Sequence, residues 1–184
     1  MAGSSTSIPS SIRAIDPESI PIPGLRVDRL VAHADPRGCV TEIFRDSWGI
    51  EAMHQWTALT LERRVVRGPS VHRRHADVVI ALSGGLQIGL RDLRDTSPVF
   101  RRPFQLSLSD REPMLAVIPP GVMHAFYAPG EPVLVLVGST HEYDPDDDIK
   151  CRWQDAALDL DASVVGTDDS RARALDDVVA ALRV

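Results

Sequence analysis

The sequence has few cysteines, no long apolar run and no excess of positive charge, and each absence excludes a class of protein. Cys39 and Cys151 are the only cysteines among 184 residues. Two thiols cannot form a disulfide framework, so we expect reduced cysteines and a cytoplasmic location. No apolar run reaches the roughly 20 residues that a membrane-spanning helix needs. A net charge of −6 argues against nucleic acid as the main partner.

The first residues also lack the pattern of a secretory signal peptide. The segment MAGSSTSIPSSIRAIDPESIPIPG has no positive region followed by an apolar one. Its serine and proline content instead predicts a flexible arm over residues 1–22. Residues 23–184 have a length typical of one domain, with enough apolar side chains for a substantial core.

Short stretches of β-branched and apolar residues, separated by turn residues, follow one another along most of the chain. Examples are CVTEIF at 39–44, DVVIALSGGLQIGL at 77–90, with a Ser-Gly-Gly turn, and PVLVLVGST at 132–140. Many short strands at this spacing predict an all-β sandwich or barrel. Near the end, the apolar spacing that includes Leu175 predicts a helix from about residue 168.

Five segments carry a resemblance to a known family and occur in its order and spacing. They are DPRGCVTEIF at 35–44, Gln55 followed by VVRG at 65–68, SGGLQIGLRDLRDTSPVF at 83–100, IPPGVMHAF at 118–126 and EYDPDDDIKCRWQDAAL at 142–158. Together they resemble dTDP-4-dehydrorhamnose 3,5-epimerase and its relatives among the cupins, including the dTDP-sugar 3,4-ketoisomerases. The resemblance implies a cupin jelly-roll barrel, here with a C-terminal helix, and commonly a homodimer.

The resemblance also implies a set of substrate-binding residues. Positions that contact the nucleotide diphosphate and its surroundings in the family are matched here by Arg37, Glu42, Gln55 and Arg67. Guanidinium groups bind phosphate oxygens in pairs, which suits a pyrophosphate. Tyr143 and Trp153 lie in the segment that leads over the sugar or base pocket in the family. Either aromatic side chain could stack on a ring of the ligand.

The positions that perform the family's reaction carry different residues. The resemblance implies a base histidine, a lysine and a tyrosine where this sequence has Ser70, Asp77 and Val137. A serine hydroxyl is not a base near neutral pH unless another group activates it. An aspartate in place of a lysine reverses the charge beside a developing oxyanion. We therefore expect that the usual epimerisation machinery does not operate in this chain.

The stretch RGPSVHRRHAD, residues 67–77, offers a replacement for that machinery. Its length fits the ketoisomerase pattern, in which His72 would be the principal base and Asp77 its partner. The carboxylate would raise the pKa of the imidazole, and His124 would line the same pocket. His75 is expected to be solvated. This hypothesis requires no cofactor and predicts an isomerisation, or a related proton-transfer or cyclisation step, on a keto sugar nucleotide or another pathway metabolite.

Other hypotheses stay open. His72, Asp77 and His124 also match the two-histidine, one-carboxylate set of metal-binding cupins, which suits iron(II) or another divalent ion in an oxygenase or lyase. Alternatively, the protein binds a nucleotide sugar without catalysis, or its pocket serves a metabolite that is not a sugar. Each hypothesis makes the partner a small molecule, with a dTDP-sugar as the leading candidate.

Overall fold

The computed structural model describes residues 20–160 and 169–183 in full, and the backbone alone of residues 13 and 14. The strands are β1 (Arg13–Ala14), β2 (Arg26–Arg29), β3 (Ala32–Asp35), β4 (Gly38–Thr41), β5 (Gln55–Leu61), β6 (Val66–Val71), β7 (Asp77–Ser83), β8 (Gly85–Asp92), β9 (Pro103–Ser109), β10 (Met114–Ile118), β11 (Val122–Tyr127), β12 (Val133–Ser139) and β13 (Ile149–Lys150). Two short helices follow, α1 (Trp153–Ala156) and α2 (Leu175–Leu182).

Two antiparallel sheets face each other across the core. Sheet I has the strand order β1-β2-β10-β7-β12-β5, and sheet II has the order β13-β6-β11-β8-β9. The interior is filled by apolar side chains from both sheets, among them Leu61, Val79, Leu86, Ile88, Leu90, Val133 and Val135. Such facing sheets interdigitate their inner side chains into one core. The predicted all-β cupin jelly roll is confirmed.

Strand β11 is buried on both faces, which explains why its residues do not alternate between apolar and polar. His124 and Phe126 face the barrel interior, where both line a pocket. Met123, on the opposite face, packs in a second apolar cluster with Val178 and Val179 of α2. The C-terminal helix thus covers the outer face of sheet II, and β11 becomes a buried strand with a histidine in its middle.

Helix α2 begins at Leu175, so the predicted start near residue 168 is wrong. The preceding backbone is engaged elsewhere, because Arg173 exchanges hydrogen bonds with the chain around β13: its N–H donates to the carbonyl of Lys150 at 3.0 Å, and its carbonyl accepts from the N–H of Arg152 at 2.8 Å. Backbone groups held in this bridge cannot form the first turn of a helix. Residue 168 itself lies outside the described part of the chain.

Most of the predicted N-terminal arm, residues 1–12 and 15–19, lies outside the described residues. Ile22, the last residue of that predicted arm, is buried in the core between the sheets. In the part of the chain that the structure describes, no helix is long and apolar enough to cross a membrane.

Candidate active site

Polar side chains enter the barrel from both sheets at one end. In sheet II, Ser70 pairs directly with Lys150 on one neighbouring strand and with His124 on the other, so the three residues lie side by side. In sheet I, the corresponding neighbours across three strands are Asp77, Ser139 and Gln55. Directly paired residues project from the same face of a sheet. All six line one pocket, so the two rows face each other across the barrel.

The pocket holds about 200 Å³ and opens between the two rows. Sites for whole drug-sized ligands usually measure about 300–1,000 Å³. A ligand of that size would therefore extend beyond this volume. Its lining combines the polar rows with an apolar wall that includes Leu59, Phe126 and Val137.

Asp77 is the centre of the polar cluster. Its Oδ2 lies 3.4 Å from Nε2 of His72 and 3.5 Å from Nε2 of His124. Its Oδ1 lies 3.6 Å from Nε2 of His75 and accepts a hydrogen bond of 2.7 Å from the Ser139 hydroxyl. The structure thus brings together the three residues that the sequence singled out for chemistry, His72, Asp77 and His124, and adds a third imidazole.

His75 is buried beside the pocket, and the expectation that it is solvated is wrong. Its Nδ1 lies 2.9 Å from Oδ2 of Asp147, a carboxylate that is itself buried and also accepts the backbone N–H of Arg73 at 3.0 Å. Nδ1 therefore donates to Asp147, and Nε2 faces Asp77. The run of acids at 146–148 is a pattern typical of a solvated surface, so this partner of His75 was not predicted.

Burial lowers the pKa values of His72 and His124. Burial, together with His124 and His75, lowers the pKa of His72 to about 2. Burial also lowers the pKa of His124, although the Asp77 carboxylate acts in the opposite direction. The expectation that the pKa of His72 is raised is therefore wrong, because the loss of water outweighs the hydrogen bond to the backbone of Asp147. Both rings are neutral near pH 7, and His72 is the more accessible, with 14% of its side chain exposed against 7% for His124.

Lys150 is a pocket residue that the sequence reasoning missed. Its Nζ lies 2.8 Å from the Ser70 hydroxyl and 2.8 Å from Oδ1 of Asp148, and 20% of its side chain is exposed. It is the only lysine in the sequence. Two features of the sequence could have identified it. Lys150 closely follows the acidic run at 146–148, and the other side chains of the chain that are always positively charged are arginines.

The cluster contains enough ligand atoms for a divalent metal ion, but not every combination fits. Ligand atoms of His72, His75 and Asp77 lie within 4.8 Å of one another. However, the rings of His72 and His75 are stacked, with centroids 4.0 Å apart and planes inclined by 26°. One ion about 2.0–2.1 Å from both nitrogens would have to lie in both ring planes, which stacked rings do not allow. The rings of His72 and His124 are not stacked, since their planes are inclined by 50°, and Nε2 of each lies 3.4–3.5 Å from Oδ2 of Asp77.

Three of the predicted substrate-binding residues line the pocket, namely Gln55, Arg67 and Tyr143. Oε1 of Gln55 accepts the backbone N–H of Tyr143 at 2.8 Å, which ties the segment after β12 to the edge strand β5. The Tyr143 side chain is exposed. These residues lie at the mouth of the pocket, where part of a bound ligand would extend out of the barrel.

The other three predicted binding residues lie outside the pocket of the single chain. Arg37, in the turn between β3 and β4, is 90% exposed and pairs with Asp35 at 2.6 Å. Glu42 forms an ion pair with Arg45. Trp153 packs with a small apolar cluster on the outer face of sheet II. These three residues occupy positions of the family's motif, but in the folded chain they do not line this pocket.

The comparisons with known proteins agree with this architecture. The sequence model of the family described as dTDP-4-dehydrorhamnose 3,5-epimerase matches residues 19–177. The chain belongs to that family. Among curated proteins, it is 29% identical over 141 residues to the spore coat polysaccharide biosynthesis protein SpsL of Bacillus subtilis, covering 74% of this chain and 93% of SpsL.

Solved structures of epimerases share the fold. The RmlC epimerase of Legionella pneumophila, solved in complex with dTDP-4-keto-L-rhamnose, has a TM-score of 0.81 at 22% identity, covering 94% of this chain and 97% of that one. NovW, a 4-keto-6-deoxy sugar epimerase from the novobiocin gene cluster of Streptomyces spheroides, has a TM-score of 0.80 at 22% identity, covering 96% and 95%. At this identity the likeness shows the fold.

Within this member of the epimerase family, the three positions at which the sequence resemblance implies a histidine, a lysine and a tyrosine all line the pocket. They are occupied by Ser70, Asp77 and Val137.

Proposed function

We propose that the protein is an enzyme that isomerises a keto sugar nucleotide, or performs a related proton transfer on it. The observation that carries this proposal is the group of neutral, buried imidazoles around the Asp77 carboxylate inside the barrel pocket. Proton abstraction next to a ketone needs a positioned base within a site that excludes water. Membership of the epimerase family and the barrel cavity both support this class of reaction.

In the proposed reaction, His72 accepts the proton. It is neutral, and it is the more accessible of the two imidazoles beside Oδ2 of Asp77. With a pKa of about 2 the free ring is a weak base, so the reaction depends on the carboxylate 3.4 Å away to stabilise the imidazolium as it forms. Ser139 holds the other carboxylate oxygen in place. A positioned general base of this kind contributes about 10²–10⁴-fold to a rate. Return of the proton to a different atom completes the isomerisation.

The nucleotide part of the substrate would bind at the mouth, with Arg67 and Gln55 on the diphosphate and Tyr143 against a ring. We also propose a homodimer in the cytoplasm, in which the exposed β3–β4 hairpin serves the pocket of a second chain. Arg37 and Glu42 would then contribute in the assembly, although they lie outside the pocket of their own chain. Trp153 is the weakest of the proposed binding residues, because it packs outside the barrel.

The proposal is tested with a dTDP-4-keto-6-deoxy sugar in deuterium oxide, followed by NMR. We expect deuterium to enter at carbon next to the ketone, and the rate to fall about 100-fold or more in His72→Gln. His54→Gln, which changes an exposed histidine outside the pocket, is the matched control and should exchange at the wild-type rate. Normal binding of dTDP with no exchange in the wild type would overturn catalysis and leave the non-catalytic binding protein as the explanation.

Nucleotide recognition has its own test. In a thermal-shift titration with dTDP, Arg67→Ala should weaken binding about tenfold or more, because a guanidinium–phosphate pair is a charge-assisted hydrogen bond. Equal dTDP affinity in Arg67→Ala and in the wild type would show that Arg67 does not bind the diphosphate. That result would favour a metabolite without a nucleotide as the substrate.

A metal-dependent enzyme is the second candidate, because Nε2 of His72 and of His124 both lie within 3.5 Å of Oδ2 of Asp77 and the two rings are not stacked. A divalent ion bound there would supply Lewis-acid or oxygen chemistry. Elemental analysis of protein purified without added metal distinguishes the candidates. One equivalent of iron, manganese, nickel or zinc that is lost in His72→Ala would establish the metal enzyme and contradict the metal-free isomerase.

A further inference from the structure

Lys150 faces Asp77 from the opposite sheet. It lies in the row of sheet II beside Ser70, whereas Asp77 lies in the facing row of sheet I. All three residues line the same pocket. A substrate held between the rows would therefore have the Asp77 carboxylate on one side and an ammonium group on the other.

We propose that Lys150 and the Ser70 hydroxyl bind the carbonyl oxygen of the substrate and stabilise the negative charge that develops on it. The inference rests on the proposed function and adds a second catalytic group to it. Removal of a proton beside a ketone moves charge onto the carbonyl oxygen, and donors preorganised at that oxygen lower the barrier. His72 takes the proton while the donors on sheet II receive the charge.

The hydrogen bonds of Lys150 leave donors for a ligand. An ammonium group has three N–H bonds, and in the described part of the chain two of them have partners, the Ser70 hydroxyl and Asp148, each at 2.8 Å. Ser70 accepts the lysine's hydrogen bond, so its own proton can be donated to a ligand. One substrate oxygen in the pocket can thus receive two hydrogen bonds, one of them from a cation.

The surroundings hold the amine in one orientation. Asp148 is largely buried and lies within ion-pair distance of Nζ. Strand pairing fixes the backbone of Lys150 opposite Ser70, and the hydrogen bond of 2.8 Å fixes the end of its side chain. The positive charge of Lys150 also contributes to the lowered pKa of both His72 and His124, so the ammonium group acts on both imidazoles.

A purely structural role for Lys150 predicts different behaviour. The hydrogen bond to Ser70 could serve only to hold β13 against β6, in which case loss of the amine would lower the stability and affect every ligand alike. A charge that acts on the carbonyl oxygen affects the chemical step and leaves the binding of dTDP, which has no ketone, unchanged. The contrast between exchange chemistry and dTDP binding therefore separates the two roles.

The experiment compares Lys150→Met, which keeps the length and removes the charge, with Lys150→Arg, which keeps the charge. Deuterium exchange into a dTDP-4-keto-6-deoxy sugar should fall about 100- to 1,000-fold in Lys150→Met, as expected for an oxyanion donor. Lys150→Arg should recover part of the loss. Affinity for dTDP should stay within about threefold of the wild type in both variants, since their nucleotide-binding residues are intact. Arg111→Met, which removes an exposed positive charge, is the control.

Four outcomes would overturn the inference, the last of them together with the proposed function. Exchange in Lys150→Met within about threefold of the wild-type rate would show that the ammonium group is not used. A parallel loss of exchange and dTDP affinity would assign Lys150 a structural role. Borohydride reduction that traps the sugar on Lys150 would show an imine instead of an ion pair. A wild-type protein that binds dTDP but exchanges nothing would overturn the proposed function, and this inference with it.

Discussion

Acidification provides a direct test of the buried imidazoles. The pKa of His72 is lowered to about 2 in the folded protein, while an unfolded chain titrates near the ordinary histidine value of about 6.5. Between these values the unfolded chain binds the proton and the folded one does not. Folding stability must therefore fall as the pH falls through this window, starting at about 6.5.

The size of the effect follows from the same linkage. Each pH unit below the unfolded pKa costs about 1.4 kcal/mol for one imidazole that stays neutral when folded. From about pH 7.5 to about pH 5.5, His72 alone should then lower the free energy of unfolding by about 1.4 kcal/mol. His124, whose pKa is also lowered by burial, adds to the loss in the same direction.

The assay is urea denaturation at both pH values and one protein concentration, on the wild type and on His72→Asn. Asparagine stays neutral at either pH, so the variant should lose about 1.4 kcal/mol less on acidification than the wild type. His54→Asn, at an exposed position, should behave like the wild type. An equal loss in His72→Asn and the wild type would refute the reasoning that His72 resists protonation in the pocket.

Two further substitutions test the architecture around the cluster, each by urea denaturation. Gly68→Ala should lower the unfolding free energy by about 1–3 kcal/mol. Gly68 has a φ of +102°, and an added Cβ would lie 2.9 Å from the carbonyl oxygen of His124. An unchanged unfolding free energy would refute this prediction. Asp147→Ala should cost about 1–3 kcal/mol, because it leaves Nδ1 of the buried His75 without its acceptor at 2.9 Å. A variant as stable as the wild type would show that this bond is dispensable.

The sequence by itself determined the fold class and part of the site. Short β-branched runs at regular spacing indicate a barrel, because alternating side chains must face a common core. The histidines His72 and His124 and the carboxylate Asp77 could be identified from motif positions, since strand alternation and the retained segments place them in one cavity. The motif also supplied Gln55, Arg67 and Tyr143, which line the mouth.

Only the tertiary structure decided the rest. Lys150 is 80 positions from Ser70 along the chain and joins the pocket through the pairing of β13 with β6, a contact that no local pattern encodes. His75 is buried because Asp147 reaches it from a distant acidic turn, although both segments read as solvated loops. The hairpin that carries Arg37 lies outside the pocket of its own chain, although the motif predicts a binding role. Sequence patterns fix which face a side chain takes, whereas the packing of distant segments fixes which groups meet.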